Sequence, residues 1–326
     1  MKLSILMATR NREKELIRFI ESLKRQISLP QEFIVIDSSD IPLSESEIYQ
    51  KAIQLLDKTI DYKYIHSEKG LTKQRNIGVS KASGDVYFFF DDDIVLDPSF
   101  LAEICTSFLS DSTLMGGMGL ITNEVVQISF SRDFFPSFIR FIVYKIYKLL
   151  HAIFFLEGGN SSGKFSPSGF SNSPNGATNF MLTDCLSGGL TAYKKEVFDI
   201  FHFDESVTGY SYLEDIDFSS RVSKKYPLFY NPKAKCLHLH GAGGRGDLVE
   251  NRKGFILNYR YFFYKNFYND NVLNLLAHYW SLFGLFVEAV FRGFFIPMRI
   301  FKIWKGYCLG LSEFSKRKAE LLKFLA

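Results

Sequence analysis

Short apolar runs recur along the first third of the chain. Each is closed by a polar cluster and followed by large apolar residues at helical spacing. Leu3 to Met7 is the first run, and Ala8-Thr9-Arg10-Asn11-Arg12 is its turn. Leu16, Ile20, Leu23 and Ile27 then predict an amphipathic helix from about Arg12 to Gln26. Phe33 to Ile36 predicts a second strand, closed by Asp37-Ser38-Ser39-Asp40. A helix from Ser44 to about Leu56, a strand near Tyr62 to Ile65 and a helix opened by Gly70 continue the alternation. This rhythm predicts an α/β fold, a mostly parallel sheet flanked by helices. Val86 to Phe90 shows no alternation, as expected of a strand buried on both faces. It runs straight into Asp91, Asp92 and Asp93, which places three acids at the sheet edge where open α/β sheets bind ligands.

Later positions are less regular. Asp133 to Phe155 predicts an aromatic, basic helix, and Glu157 to Phe180 a Gly/Ser/Asn/Pro-rich loop read as a flexible flap near the acceptor. Cys185-Leu186-Ser187-Gly188-Gly189 follows. Gly209 to Val222 predicts a helix headed by Glu214, Asp215 and Asp217, and Tyr230 to His240 a returning strand that ends in His238-Leu239-His240-Gly241. The pattern divides the chain into a first half over 1–110, a second half over 111–250 and a helical tail over 251–326.

Composition narrows this picture. The chain has 326 residues with 47% hydrophobic and 23% charged, enough for a sizeable core. A net charge of +4 is too weak to argue for nucleic acid. The four cysteines lie far apart without metal-ligand spacing, and no secretory signal is evident, which suggests reduced thiols in the cytoplasm. The clusters Thr9–Arg12, Asp37–Asp40 and Asp91–Asp93 each follow a parallel strand, so they open on one rim and suggest a nucleotide pocket. If strand geometry persists past Phe90, Asp91 and Asp93 point the same way and could share one hard divalent ion. Taken alone, the acids would equally suit a solvated turn. Glu214 and Asp215 would likewise suit a helix N-terminus, where the macrodipole favours carboxylates.

In this order, the motifs ATRNR (8–12), VIDSSD (35–40), GLTKQRNIG (70–78), FFFDDD (88–93), EDIDFSSR (214–221) and HLHG (238–241) resemble the family-2 glycosyltransferases of the GT-A fold. The resemblance covers about Met1 to Arg245. It implies that Thr9 and Arg12 contact the nucleotide, that Asp37 accepts a hydrogen bond from the base, and that Arg75 and Asn76 brace the pocket near diphosphate and ribose. Asp91 and Asp92 are implied on the donor, with Asp91, Asp93 and His238 (or His240) at a Mn²⁺ or Mg²⁺ ion. Asp215, with Glu214 beside it, corresponds to the catalytic base, and Gly188-Gly189 to the acceptor region. The implied activity is inverting, metal-dependent transfer from a nucleoside-diphosphate sugar, with a UDP-sugar favoured. The acceptor would be a hydroxyl of a glycan or lipid-linked glycan, as in surface polysaccharide synthesis. Alternatives are a polyprenyl-phosphate acceptor, a sugar nucleotidyltransferase and a non-catalytic nucleotide-sugar binder. The second would need a Gly-rich first loop, and Ala8–Arg12 has no glycine.

Two stretches point to a lipid surface. In Phe138 to Phe155, Arg140, Lys145, Lys148 and His151 fall within about 140° at about 100° per residue, opposite bulky apolar residues. Val272 to Leu311 repeats the theme, with Glu288 the only charge in Trp280–Phe291 and Arg292, Arg299, Lys302 and Lys305 after it. No uncharged apolar run reaches ~20 residues, so the expectation is peripheral binding at the inner face of the cell membrane rather than a spanning helix.

Overall fold

The computed structural model describes residues 1–123, 137–155, 162–207, 212–241, 247–295, 297–321 and 323. In chain order its elements begin with β1 (Leu3–Thr9), α1 (Glu13–Leu23), β2 (Glu32–Asp37), α2 (Glu47–Gln54), β3 (Asp61–His66), α3 (Leu71–Lys81) and β4 (Val86–Phe90). There follow β5 (Ile94–Leu96), α4 (Phe100–Ser110), β6 (Gly116–Ile121), α5 (Ser137–Phe155), β7 (Met181–Thr183) and β8 (Leu190–Lys194). The chain continues through α6 (Glu214–Ser223), β9 (Leu228–His238), α7 (Leu248–Asn266), α8 (Val272–Phe295) and α9 (Pro297–Leu321). Two compact units result: Met1–Val125 with Ser173–Arg245, and Val126–Asn172 with Gly246–Ala326.

The first unit is a sheet in the order β3-β2-β1-β4-β8-β6-β9-β5, with β7 also paired to β9. The expected parallel half is present over β3-β2-β1-β4. Beyond it the sheet is mixed, because β8 runs antiparallel to both β4 and β6. Thr9 pairs with Asp37 and Met7 with Phe90, so the three polar clusters leave the sheet along one edge. β4 is buried on both faces, as its unbroken apolar run predicts. Phe88 and Phe90 pack with Leu16, Phe19, Ile20 and Leu23 of α1 on one side. Tyr87 and Phe89 join Phe198, Phe203 and Phe218 on the other.

Local chemistry moves several boundaries. α1 stops at Leu23, and Ile27 lies outside its buried stripe, 75% exposed and bonded through its N–H to the Pro98 carbonyl. The helix expected from Ser44 splits into a 3-10 turn over Leu43–Glu45 and then α2, because Ser46 caps α2 by accepting from the Tyr49 N–H. β9 ends at His238 rather than His240.

The second unit is helical. Gly306 and Gly310 bring α9 against α7, since a Cβ there would stand 2.5 Å from the Val249 carbonyl oxygen and 2.7 Å from that of Lys253. The Gly/Ser-rich stretch is packed around Ser168 and Phe170, whereas Thr178 to Phe180 at its end are exposed. Phe170 stacks on Phe155 with ring centroids 4.2 Å apart, and the buried Tyr259 hydroxyl donates to the Ser168 carbonyl at 3.0 Å. Residues 157–161 of that stretch, the start of the expected 133–155 helix and the side chains of Arg140, Arg292 and Arg299 lie outside the described residues. Among the described residues one stretch, Val272–Phe291, is long and apolar enough to cross a membrane by length and composition, despite Glu288.

Glu32 shows how the sheet pays for a buried charge at its far edge. It is 1% exposed at the start of β2, accepts from Ser4 Oγ, from Ser83 through backbone and hydroxyl, and from Lys63 Nζ at 3.0 Å. Burial pushes its carboxyl up, but these donors outweigh it and hold the group at about 2. A depressed folded-state value stabilises above the unfolded carboxylate range, and the contribution is lost as pH falls from about 4.5 towards 2. Glu32→Gln, measured by urea unfolding at pH 7, is expected to cost about 1–3 kcal/mol. The gap between parent and variant should narrow as pH drops through that window; a gap independent of pH would contradict this account.

Candidate functional site

β4 ends at Phe90, and Asp91–Asp93 leave it as a turn closed by the Ile94 N–H on the Asp91 carbonyl at 3.2 Å. Extended geometry therefore does not persist, and the acids are sorted by the partners that the turn reaches. Asp92 turns inward, where Thr9 Oγ1 donates to it at 2.7 Å and Arg12 Nη1 at 2.9 Å. Burial raises the Asp92 carboxyl to about 7, with Arg12 and Thr9 opposing. Asp93 accepts from the Gly241 N–H at 2.9 Å and from Arg12 Nη1 at 3.3 Å, while its carbonyl takes the Leu239 N–H at 2.9 Å. Burial pushes Asp93 up, but His238, Arg12 and Gly241 together hold it below the usual carboxylate range.

Asp91 and Asp93 still converge. One oxygen from each and a ring nitrogen of His238 lie within 4.8 Å of one another. Asp93 Oδ1 is buried and sits 3.1 Å from His238 Nε2, yet no well-directed hydrogen bond closes on it. Two carboxylates and an imidazole with a poorly used buried oxygen fit a divalent ion such as Mn²⁺ or Mg²⁺. His240 is not in this group; its ring packs on His238 with centroids 4.1 Å apart.

The second acidic pair opens α6 after Leu213, whose φ of 71° is left-handed and whose side chain caps nothing. Glu214 points inward and pairs with Arg75 Nη1 at 2.6 Å, both groups buried. Burial and the neighbouring Asp215 push the Glu214 carboxyl up, and Arg75 pulls it back. Arg75 Nη2 also donates to the Gly188 carbonyl at 3.1 Å and stands 3.7 Å from Asp91 Oδ1. Asp215 is half-buried: its Oδ2 accepts from the Gly188 N–H at 2.6 Å and its Oδ1 from the Ile216 N–H at 2.8 Å. A Cβ at Gly188 would stand 2.6 Å from that of Asp215, and one at Gly189 2.8 Å from Asp91 Oδ2. The two glycines thus let one backbone segment touch both acidic clusters. Asp217 pairs with Arg221 one helical turn on, as the i, i+4 spacing suggests.

Two predicted residues are tied elsewhere. Asp37 is fully buried and accepts from Ser39 N–H (2.8 Å), Ser39 Oγ (2.5 Å), Leu43 N–H (2.9 Å) and the Tyr64 hydroxyl (2.7 Å). These four donors fill the acceptor capacity of a carboxylate. Asn76 exchanges hydrogen bonds with the Phe203 backbone at 3.0 Å and donates to Glu205 at 2.9 Å. Sequence reasoning missed Gln74, whose amide donates to the carbonyls of Thr9 (3.1 Å) and Ile36 (2.7 Å) and so joins the loops after β1 and β2. Its burial on α3 beside Thr72, Arg75 and Gly78 breaks the apolar-inside rule that a sequence pattern relies on.

Comparison with known proteins bears on the family and the fold. The uncharacterized glycosyltransferase YwdF of Bacillus subtilis (strain 168) is 33% identical over 106 residues, 32% of this chain and 37% of that protein. The chain thus matches little more than a third of that relative's length. Among solved structures, the mannosyltransferase PcManGT from Pyrobaculum calidifontis, in complex with GDP-Man and Mn²⁺, superposes with a TM-score of 0.54 at 13% identity. That match covers 96% of this chain and 86% of the other. GalNAc-T7 with UDP, GalNAc and Mn²⁺ gives 0.54 at 17% identity, over 81% and 50% of the two chains. At such identities the shared property is the fold. The family model for glycosyl transferase family 2 matches residues 4–168, just over half of the sequence, and the chain belongs to that family.

Proposed function

We propose that this protein is an inverting, metal-dependent glycosyltransferase that moves a sugar from a nucleoside-diphosphate sugar, a UDP-sugar in the first instance. The acceptor is a hydroxyl of a glycan or lipid-linked glycan in surface polysaccharide synthesis. The observation that carries this reading is Asp215: a half-buried carboxylate, aimed by the Gly188 N–H and joined through Gly189 to Asp91. A base and a donor-side acid cluster thus share one backbone segment. Asp91, Asp93 and His238 would hold the divalent ion, which when bound supplies positive charge to the departing diphosphate. Asp215 takes the proton of the acceptor hydroxyl as its oxygen bonds to the anomeric carbon, while the electron pair of the breaking bond leaves on the diphosphate. A single base facing the side opposite the leaving group makes this a direct displacement with inversion.

Other residues act by position. Arg75 neutralises Glu214 and ties Gly188 beside Asp91; Thr9 and Arg12 keep Asp92 and Asp93 in place. Asp37 shapes the nucleotide rim through Ser39 and Tyr64, and Asn76 through Phe203, with substrate touching the groups they hold. Gly188 and Gly189 form the floor of the acceptor side.

The helical unit supports work at the inner face of the cell membrane. On α8 the exposed residues Val272, Leu276, Tyr279, Trp280, Phe283 and Val290 follow one face for about 27 Å. Glu288 faces the other way, 3.4 Å from the Tyr147 hydroxyl of α5. Ile142, Ile146, Leu149 and Ile153 line an exposed strip on α5, with Lys145 and Lys148 exposed to one side of it. The two helices meet where Trp280 Nε1 donates to the Ile153 carbonyl at 2.9 Å. The opposite face of α8 buries His278, Ser281, Leu282 and Leu285 inside the unit, which favours an in-plane seat over a crossing.

Two measurements test this reading. Asp215→Asn keeps one acceptor oxygen and loses the other's backbone N–H, so stability should drop by about 1 kcal/mol with donor binding close to the parent, while transfer falls about 10²-fold or more. Transfer at the parent rate would remove Asp215 as base and favour an acceptor already ionised, such as a polyprenyl phosphate. On vesicles containing anionic lipid, Trp280→Ser with Lys145→Glu and Lys148→Glu should release the protein, with turnover of a soluble acceptor analogue kept. Unchanged vesicle binding would assign the apolar face to packing against another protein.

A further inference from the structure

β6 ends at Ile121, paired with Cys236 of β9, and Thr122 extends the pairing by donating its N–H to the Cys236 carbonyl at 2.9 Å. Among the described residues the main chain of β6 makes no further rung. The side chain of Asn123 supplies it instead: its Oδ1 accepts from the His238 N–H at 2.9 Å and its Nδ2 donates to the His238 carbonyl at 2.7 Å. Donor meets acceptor in both contacts, so the amide has one workable orientation; flipped, it would set oxygen against oxygen and N–H against N–H. An exposed side chain thus stands in for a peptide group at the end of the ladder. On the other flank of β9, His238 pairs with Ile94 of β5, and the Leu239 N–H is taken by the Asp93 carbonyl at 2.9 Å. The backbone that carries the imidazole is therefore fastened on both sides, with Asn123 alone holding the β6 side at this residue among the described residues.

We propose that Asn123 is a positioning residue for the metal group: it fixes the His238 backbone so that Nε2 meets Asp93 and Asp91. The proposal rests on the reading of Asp91, Asp93 and His238 as ligands. Partners that orient a ligating histidine typically contribute 10–100-fold to metal affinity. The amide here acts on the main chain rather than the ring, so the lower figure is expected.

The test measures Mn²⁺ binding by the full chain without nucleotide, following the electron paramagnetic resonance signal of free Mn²⁺. Asn123→Ala should weaken binding about tenfold, with melting in EDTA close to the parent because the residue is exposed. Asn123→Gln keeps the neutral amide but moves it by one methylene; it should also weaken binding, with melting kept, and it decides the matter if the alanine variant folds poorly. Because the effect runs through His238, adding Asn123→Ala to His238→Ala should change affinity little further. Parent-like Mn²⁺ affinity in Asn123→Ala, or a full additional loss in the double variant, overturns the positioning role while leaving the metal group intact. A parent chain that binds no Mn²⁺ overturns the metal group itself, and this inference with it.

Discussion

Five carboxylates gather around the end of β4: Asp91, Asp92 and Asp93 on its turn, Glu214 and Asp215 at the head of α6. Two buried or nearly buried guanidiniums face them. Arg12 spans Asp92 and Asp93, and Arg75 joins Glu214 to the Asp91 side. Like charges this close, largely removed from water, would be unfavourable without such counter-charges, and an arginine keeps its proton where a lysine would be prone to lose it. Asp93 gives Arg12 only Oδ2, Asp91 stands 3.7 Å from Arg75, and Asp215 is held by the backbone N–H groups of Gly188 and Ile216. Which carboxylate oxygens stay open is thus decided by which ones the two arginines close off.

Much of the fold was legible because it rests on unbroken apolar runs. β1, β2 and β4 carry such runs, and burial on both faces is their physical cause. β5 and β6 were not legible, although β9 was visible as a returning strand. β6 reads Gly-Gly-Met-Gly-Leu-Ile and β5 only Ile-Val-Leu, and their pairing is decided by partners far along the chain. In the site, residue types were legible and directions were not. Asp92 was as visible as its neighbours, but its inward turn depends on Thr9 and Arg12. Asp37 and Asn76 were visible too, yet whether a carboxylate or amide is still free for substrate depends on Tyr64, Leu43 and Phe203. Asn123 carried no signal at all, since an asparagine after a strand reads as an ordinary turn residue.

The helical unit shows the reverse imbalance. Its amphipathic spacing was plain, but a wheel projection cannot say which face meets protein. Burial shows it: α8 gives its small and polar side, His278, Ser281 and Gly284, to its own unit and leaves Trp280 and Phe283 about half exposed beside Phe154 of α5. The acid of the helix is drawn in towards Tyr147 and His151, which leaves no charge on the outer face among the described side chains.

That unit is assembled from two separate lengths of chain, 126–172 and 246–326. The first unit therefore cannot be isolated by a single cut. Stopping the chain near residue 245 removes α7, α8 and α9 but leaves α5 inserted between β6 and β7, stripped of the Trp280 and Phe283 rings that pack on Phe154. Such a fragment would carry a new sticky helix in place of the one discarded. Protein engineering has to excise both lengths together, closing the gap between β6 and β7 with a short polar linker. For the same reason, a gene fusion or natural shuffling event that exchanges only the C-terminal tail would separate α5 from the helices it evolved to pack with.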